Sequence, residues 1–279
     1  DLARLTGIDD GEEEMILDLS VKKDMKKGWM DNFLGGMGSK ERYEVANTMN
    51  RIRENSQLTV IANWNNTNNQ GFSELQQQSS NATGNTRGRA GMGTSRSLGF
   101  NFSKDWGNIK FRSNVQYSGT DREEESKTLT DNFMKAEKSI TNSTSSSRNR
   151  NDGVTGNAYL EWKIDTVTNL IFRPTFRYST ADRRGASYQK SWSGEEELNE
   201  KESSNWSESS QYSLALMLQV NRKLNTRGRN VALKLDYGTN ASTSDRLNYA
   251  TTRYFKTGTE KILNQKIDNK TDGDNYRIQ

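Results

Sequence analysis

Residues 231–237 read Val231-Ala232-Leu233-Lys234-Leu235-Asp236-Tyr237, in which every second side chain, from Val231 to Tyr237, is apolar. Successive side chains of a strand point to opposite faces, so this stretch predicts a strand with one apolar and one polar face. Similar alternation recurs along the chain, in stretches that are paired by short connections and separated by long polar segments. The other predicted strands are about 28–37, 42–53, 58–64, 98–106, 109–117, 154–164, 170–178 and 212–224.

The connections between these strands are short at one end and long at the other. The predicted short turns are 54–56, 106–108, 165–168 and 225–229. The predicted long loops are 66–92, 121–151, 181–208 and 246–272. This asymmetry is typical of a membrane-spanning β-barrel, whose short turns face the periplasm and whose long loops face outside. We therefore predict an all-β fold, an antiparallel transmembrane β-barrel, of which this chain holds nine strands and the beginning of a tenth.

The composition agrees with a barrel that has a polar interior. The hydrophobic fraction is only 30%, and the mean hydropathy is −1.02. The 6 Trp, 10 Tyr and 9 Phe are nevertheless too many aromatic residues for a disordered chain. No stretch approaches the roughly 18 apolar residues that a spanning helix needs. A helical membrane protein is therefore excluded.

Several function classes are disfavoured by missing residue types. The chain has 0 Cys and 0 His, so the usual catalytic triads, thiolate sites and imidazole-bound zinc cannot form. We predict no enzymatic activity, no cofactor and no metal site. The net charge of +4 is spread along the chain, without the basic stripe and exposed aromatics of a nucleic-acid surface. Nucleic acid is not a predicted partner.

Aromatic residues on the predicted strands mark the borders of a membrane. Phe111 to Tyr117 and Phe172 to Tyr178 each cover about 20 Å of strand, close to the roughly 25 Å apolar band of outer-membrane barrels. Trp106 and Trp162 would anchor the periplasmic border. The predicted membrane-interface anchors are Trp106, Phe111, Tyr117, Trp162, Phe172, Tyr178 and Tyr237.

Two further tryptophans, Trp192 and Trp206, fall in predicted loop 181–208. An aromatic ring on an exposed loop can stack on a sugar or another flat solute. We predict these two residues as candidate ligand-binding groups.

The first 26 residues differ in pattern from the rest of the chain. Glu12 to Glu14 form an acidic run, and an apolar stretch then ends at Lys22 and Lys23. We assign 1–26 to a separate preceding unit with its linker, and 27–279 to the barrel. The chain has no initiating Met and stops at Arg277-Ile278-Gln279 in an apparent new strand, so we expect it to be part of a longer protein.

A series of short motifs resembles one known family. In order, the motifs are Lys22-Lys23, Gly28-Trp29-Met30-Asp31-Asn32-Phe33, Gly36, Gly38, Arg42-Tyr43-Glu44, 65–69, Gly71-Phe72-Ser73, 98–104, Glu161-Trp162-Lys163 and Ile171-Phe172-Arg173-Pro174. The order is similar to the junction of plug and barrel in TonB-dependent receptors, in particular the outer-membrane barrel family of Bacteroidota-type bacteria. The likeness covers nearly the whole chain.

The resemblance implies a twenty-two-stranded barrel in the outer membrane of a Gram-negative bacterium. Residues 1–26 would then be the C-terminal end of the plug and its linker. Such a receptor binds a scarce solute, for example a siderophore, oligosaccharide or peptide, and imports it. Its partners would be outer-membrane lipid, the solute, and TonB acting through regions absent from this chain; a surface lipoprotein is a further partner that stays open.

Three other interpretations remain open at the level of sequence. A passive porin or structural barrel would have no plug and need no energy source. An outer-membrane barrel enzyme would need catalytic residues outside this chain. A secreted, soluble β-rich adhesin would have to cover its apolar face with a second sheet.

Overall fold

The computed structural model describes residues 27–67, 92–133, 138–224 and 229–279. These residues form strands joined by turns, as the alternation predicts. The strands are β1 (Gly28–Met37), β2 (Tyr43–Arg53), β3 (Ser56–Asn65), β4 (Met92–Asp105), β5 (Ile109–Phe133), β6 (Lys138–Lys163), β7 (Thr168–Ser193), β8 (Glu196–Lys223), β9 (Asn230–Tyr254) and β10 (Thr259–Ile278). The predicted unit 1–26 lies outside the described residues.

All ten strands belong to one antiparallel sheet in which every strand pairs with its neighbour in sequence. The order runs from β1 to β10, and these two edge strands do not pair with each other, so the sheet is open. The all-β, antiparallel prediction is confirmed. Because consecutive strands run in opposite directions, alternate connections lie at opposite ends of the sheet, which we call the lower end (connections after β2, β4, β6 and β8) and the upper end. Of the predicted turn 225–229, residues 225–228 lie outside the described part.

Three of the predicted loops are wrong, because they are continuations of strands. Ranges 121–151, 181–208 and 246–272 lie mostly within β5 to β10, which are 20 to 28 residues long. The upper connections after β7 and β9 are instead short turns near Gly194 and Gly258, both with positive φ. Of the fourth predicted loop, 66–92, residues 68–91 lie outside the described part.

The missed strand extensions carry polar residues on both faces, so they give no period-2 hydrophobic signal. Their cross-strand contacts include hydrogen bonds between hydroxyl groups. Ser126 and Ser145 hydroxyls are 2.7 Å apart, and those of Ser187 and Ser203 are also 2.7 Å apart. Such pairs stabilise a sheet without burying apolar surface.

The tenth strand also begins earlier than predicted. Arg277 and Ile278 do not start a new strand but end β10, which begins at Thr259. Along β10, Tyr276 pairs with Tyr237 of β9. Most of the strand carries polar residues, and that is why its start could not be read from the alternation.

Backbone hydrogen bonds connect the lower turns to nearby strands. In each of the three lower turns that the structure describes, one carbonyl accepts a hydrogen bond from a backbone N–H near the end of the second strand that follows the turn. The pairs are Asp105 N–H to Asn55 O at 2.8 Å, Lys163 N–H to Asn108 O at 2.8 Å and Lys223 N–H to Val167 O at 2.9 Å. In the 106–108 turn, Gly107 has a φ of 86°, which a residue without a Cβ adopts at little cost.

In a soluble protein the apolar face of a sheet is buried and the polar face is exposed. In this sheet the apolar face is exposed and the polar face is sheltered. Phe33 and Trp64, on the apolar face, are 67% and 57% exposed. Asn65 and Glu161, on the polar face, are 0% and 5% exposed. Every described buried side chain belongs to the polar face: Thr59, Ile61, Asn63, Asn65, Ser95, Ser97, Glu161, Ile171 and Ser191. We call this sheltered polar side the inner face and the exposed apolar side the outer face.

Pro174 interrupts β7 without shifting its register. Pairing with β6 runs from Asn157↔Thr175 to Leu160↔Phe172 in one continuous register, with the two intervening pairs missing. Proline has no N–H to donate, so the ladder loses bonds there but gains no extra residue. The irregularity between β7 and β8 lies instead at Ser191/Trp192.

Candidate functional site: the two faces of the sheet

Tyrosines mark the upper limit of the apolar outer face. Tyr178 of β7 is opposite Tyr212 of β8, and Tyr237 of β9 is opposite Tyr276 of β10. Tyr117 of β5 lies at the same level as Tyr178, across Val154 of β6. Tyrosine combines an apolar ring with a polar hydroxyl, and it therefore suits a border between apolar and wet surroundings.

The lower limit of the apolar outer face carries tryptophans. Trp162 of β6 is opposite Ile109 of β5 and is 39% exposed. Trp106 lies in the turn before β5, with Lys104 Nζ 4.8 Å from the centre of its ring. Ile109 and Tyr117 are separated by about 27 Å along β5. Allowing for strand tilt, the apolar zone is comparable with the roughly 25 Å band of an outer-membrane barrel.

Six of the seven predicted anchors lie on strands and project from the outer face, and Trp106 lies in a turn. Phe111 and Phe172 lie one outer-face row above the row of Ile109, Trp162 and Leu170, and so not at the border itself. Phe111 packs against Phe102 of β4 with ring centres 6.1 Å apart. The role of these residues as membrane anchors stays a prediction.

Above the tyrosines the outer face changes abruptly from apolar to charged. Asp152 accepts a hydrogen bond from the Tyr117 hydroxyl at 2.7 Å and from Arg150 Nε at 3.0 Å. One residue pair higher, Arg148 donates two hydrogen bonds to Asp121, at 3.0 and 2.7 Å. The hydrogen bond from Arg148 holds the pKa of the Asp121 carboxyl below its usual value. These ion pairs lie on the part of the sheet that extends beyond the apolar zone.

The inner face is lined by polar groups from the lower end upward. The Tyr159 hydroxyl donates to Glu161 Oε2 at 3.1 Å. The guanidinium carbon of Arg173 lies 5.0 Å from the centre of the Tyr159 ring. Arg177 follows Arg173 on the same side of β7, as the sequence predicts for its polar face.

Higher on the inner face lies an open hollow of about 450 Å³. Its inner-face lining consists of hydroxyl and amide side chains, small residues and one guanidinium, from Arg183. The lining includes Ser118, Thr120, Asn151, Ser179, Arg183 and Gln211. Ser97 lies in the same row as Ser118, and its buried Oγ has no hydrogen-bond partner among the described residues.

The two tryptophans predicted to bind ligand lie on strands, not on loops. Trp192 is near the upper end of β7 with Lys190 Nζ 5.7 Å from the centre of its ring. Trp206 is on β8 opposite Arg184 of β7, and is therefore about 27 Å along the strands from Trp192. Both project from the outer face. The structure does not bring them together, and their ligand-binding role stays a prediction.

Most of the arginines on the upper inner face were missed from the sequence. Arg122, Arg183 and Arg246 fall in ranges that the polar composition suggested were loops. Only the strand register shows that they share a face, and no local sequence signal could have revealed it. Within the described ranges, no group of three or more acidic residues is arranged to hold a metal ion.

No protein-family model matches the chain, and no curated protein matches it with statistical significance. Among the described residues, no helix is long and apolar enough to cross a membrane. The described residues form an open, ten-stranded antiparallel sheet with an exposed apolar face and a sheltered polar face.

Proposed function

We propose that this chain forms part of the wall of an outer-membrane β-barrel, and that the barrel belongs to a TonB-dependent receptor that imports a scarce solute. The observation that carries the membrane assignment is the reversed exposure of the two faces. A sheet with exposed Trp, Phe and Leu on one side and buried Asn, Ser and Glu on the other suits lipid outside and a polar lumen inside.

The open edges support the same proposal. An edge strand in lipid would leave backbone N–H and C=O groups without partners, so a membrane sheet must close. Further strands pairing with β1 and β10 would close this one. The resemblance to the receptor family, with its twenty-two strands, supplies a size for the complete barrel and supports a solute-importing role.

A fluorescence experiment tests the membrane assignment. The full-length protein would be placed in vesicles containing brominated lipids, as variants that retain either Trp162 or Trp192 as the sole tryptophan. We expect bromine to quench Trp162, which lies at the lower end of the apolar zone, and to leave Trp192 bright. Equal, negligible quenching of both would support the soluble adhesin and contradict the proposal.

A transport experiment tests the receptor assignment separately. Cells that produce the full-length protein would be assayed for solute uptake before and after the proton-motive force is collapsed. A TonB-dependent receptor stops importing when energy is withdrawn, whereas a passive porin continues to equilibrate its solute. Uptake that persists would favour the porin and would leave the barrel itself intact.

A further inference from the structure

Arginines on the two faces of the sheet differ in whether a carboxylate pairs with them. On the outer face above the apolar zone, arginines pair with carboxylates: Arg148 with Asp121 at 2.7 Å, Arg150 with Asp152 at 3.0 Å and Arg184 with Asp182 at 3.2 Å. On the inner face of β5 to β9, six arginines form no ion pair with any described residue. The six are Arg112, Arg122, Arg173, Arg177, Arg183 and Arg246.

The upper three of these arginines lie in one row across the sheet. Arg122 is opposite Asn149, Asn149 is opposite Arg183, Arg183 is opposite Ser207 and Ser207 is opposite Arg246. Each arginine is thus two strands from the next, which is about 10 Å. Uncharged side chains separate them, so the row presents three positive charges to the inner side.

The lower three arginines lie below the hollow, with Arg177 in the row directly beneath it and Arg112 and Arg173 about 13 Å lower along the strands. Arg112, Arg173 and Arg177 lie on β5 and β7 below it. Among the described inner-face residues between these two levels on β5 to β9, Asp236 is the one carboxylate, and it pairs with Lys234 at 3.3 Å. Between these two levels the inner face therefore carries a net positive charge.

Between the arginines, the side chains are small and hydrogen-bonding. The rows that line the hollow carry Ser118, Gly153, Ser179 and Gln211 at one level and Thr120, Asn151, Ala181 and Ser209 at the next. Hydroxyl and amide groups both donate and accept hydrogen bonds. They suit a ligand with several hydroxyl groups, and small residues leave it room.

From this arrangement we infer that the inner hollow binds an anionic solute that also carries hydroxyl groups. Guanidinium groups bind phosphate and carboxylate through paired, charge-assisted hydrogen bonds, and Arg177 and Arg183 lie about 20 Å apart along β7, on either side of the hollow. The inference rests on the proposed function, because it assigns a chemical class to the imported solute.

The test measures binding of three probes to the purified full-length protein in detergent by isothermal titration calorimetry. The probes are glucose, glucose 6-phosphate and glucose 1,6-bisphosphate, which share one hydroxyl-bearing ring and differ in charge. We expect affinity to rise with charge and to fall as salt is added. The variant Arg177→Gln/Arg183→Gln should bind glucose 1,6-bisphosphate about tenfold or more weakly.

The matched control is Arg148→Gln/Arg184→Gln, which removes the same charge from the outer face. It should bind the probes as the unmodified protein does. Equal affinity for glucose and the phosphorylated probes, or equal losses in both variants, would overturn the inference. If the protein does not bind the anionic probes but uptake still depends on energy, the anion-binding role of the hollow is refuted and the receptor assignment stands. If the probes bind but uptake does not depend on energy, the receptor assignment is refuted and the anion-binding role stands.

Discussion

The Tyr117 hydroxyl donates a 2.7 Å hydrogen bond to Asp152 Oδ1 across the β5–β6 pair. The bond joins the top of the apolar outer face to the first charged residue above it. Arg150 and Arg96 also pair with Asp152, at 3.0 and 3.5 Å. The Asp152 carboxylate therefore contacts side chains of β4, β5 and β6 at the level where the outer face changes from apolar to charged.

Removing that carboxylate should cost more stability than removing the tyrosine hydroxyl. Asp152→Ala leaves Tyr117, Arg150 and Arg96 without their shared partner, and we expect a loss of about 1–3 kcal/mol in the free energy of unfolding. Tyr117→Phe removes one hydrogen bond and should cost about 0.5–1.5 kcal/mol. Urea unfolding of the full-length protein in lipid or detergent measures both. Equal losses would show that Asp152 acts only through Tyr117.

Neighbouring positions on β7 should respond oppositely to a new positive charge. Phe176 lies on the outer face and Thr175 on the inner face. In a membrane, Phe176→Arg should destabilise the barrel by about 1–2 kcal/mol, because Phe176 lies one outer-face position below Tyr178, between the midplane, where the cost is about 2–4 kcal/mol, and the interface, where it is about 0–1 kcal/mol. Thr175→Arg should be tolerated beside a polar lumen. Folding yield into vesicles and urea unfolding report the difference. A greater penalty for Thr175→Arg would contradict the assignment of the faces.

The turn after β6 should depend on pH through Asp165. Its carboxylate accepts hydrogen bonds from Val167 N–H at 2.8 Å and Thr168 N–H at 2.6 Å. The bond from Val167, followed by those from Thr168, outweighs burial and lowers the Asp165 pKa. Its stabilising effect is therefore complete above the unfolded pKa of about 3.9 and disappears as pH falls through the lower folded value.

Asp165→Ala provides the measurement. The difference in unfolding free energy between the unmodified protein and this variant should be constant from neutral pH down to about 4 and shrink below it. Asp165→Asn, which keeps an oxygen acceptor, should lose less at neutral pH and show a weaker pH dependence. A difference that grows at acid pH would contradict the hydrogen-bonded turn.

Substitutions in the turn between β1 and β2 should stabilise the folded protein. Lys40 and Glu41 both have a φ of 58°, which non-glycine residues adopt only at a cost. Two consecutive positive φ values are those of a type I′ hairpin turn, where Asn-Gly is preferred. Lys40→Asn/Glu41→Gly should therefore raise the unfolding free energy by about 1 kcal/mol. The same pair at 54–55, where φ is not positive, is the control and should give no gain.

Trp192 and Trp206 should act independently if either binds solute. Because they are about 27 Å apart along the strands, one small solute cannot contact both. The effects of Trp192→Ala and Trp206→Ala on solute affinity should therefore add in the double variant. An unchanged affinity in the double variant would remove both residues from the binding site, and a strongly non-additive loss would show that the hairpins bend to bring them together.

The alternation of apolar and polar residues from Val231 to Tyr237 was enough to predict that this segment is a strand. A period of two is the geometry of a strand, and apolar residues on one side specify which face avoids water. For the same reason the aligned aromatic and aliphatic residues of β4 to β9 could be assigned to one face from sequence. The short lower turns, such as 106–108, followed from where the alternation stops.

The tertiary structure decided the rest. Ranges such as 121–151 are polar on both faces, and a strand without a hydrophobic period cannot be told from a loop until its partner supplies the backbone hydrogen bonds. Register then decided which distant residues share a face: Arg122, Arg183 and Arg246 form one row only because β5 to β9 pair as they do. Local sequence determines the two faces of a strand, but only pairing between strands determines which side chains meet.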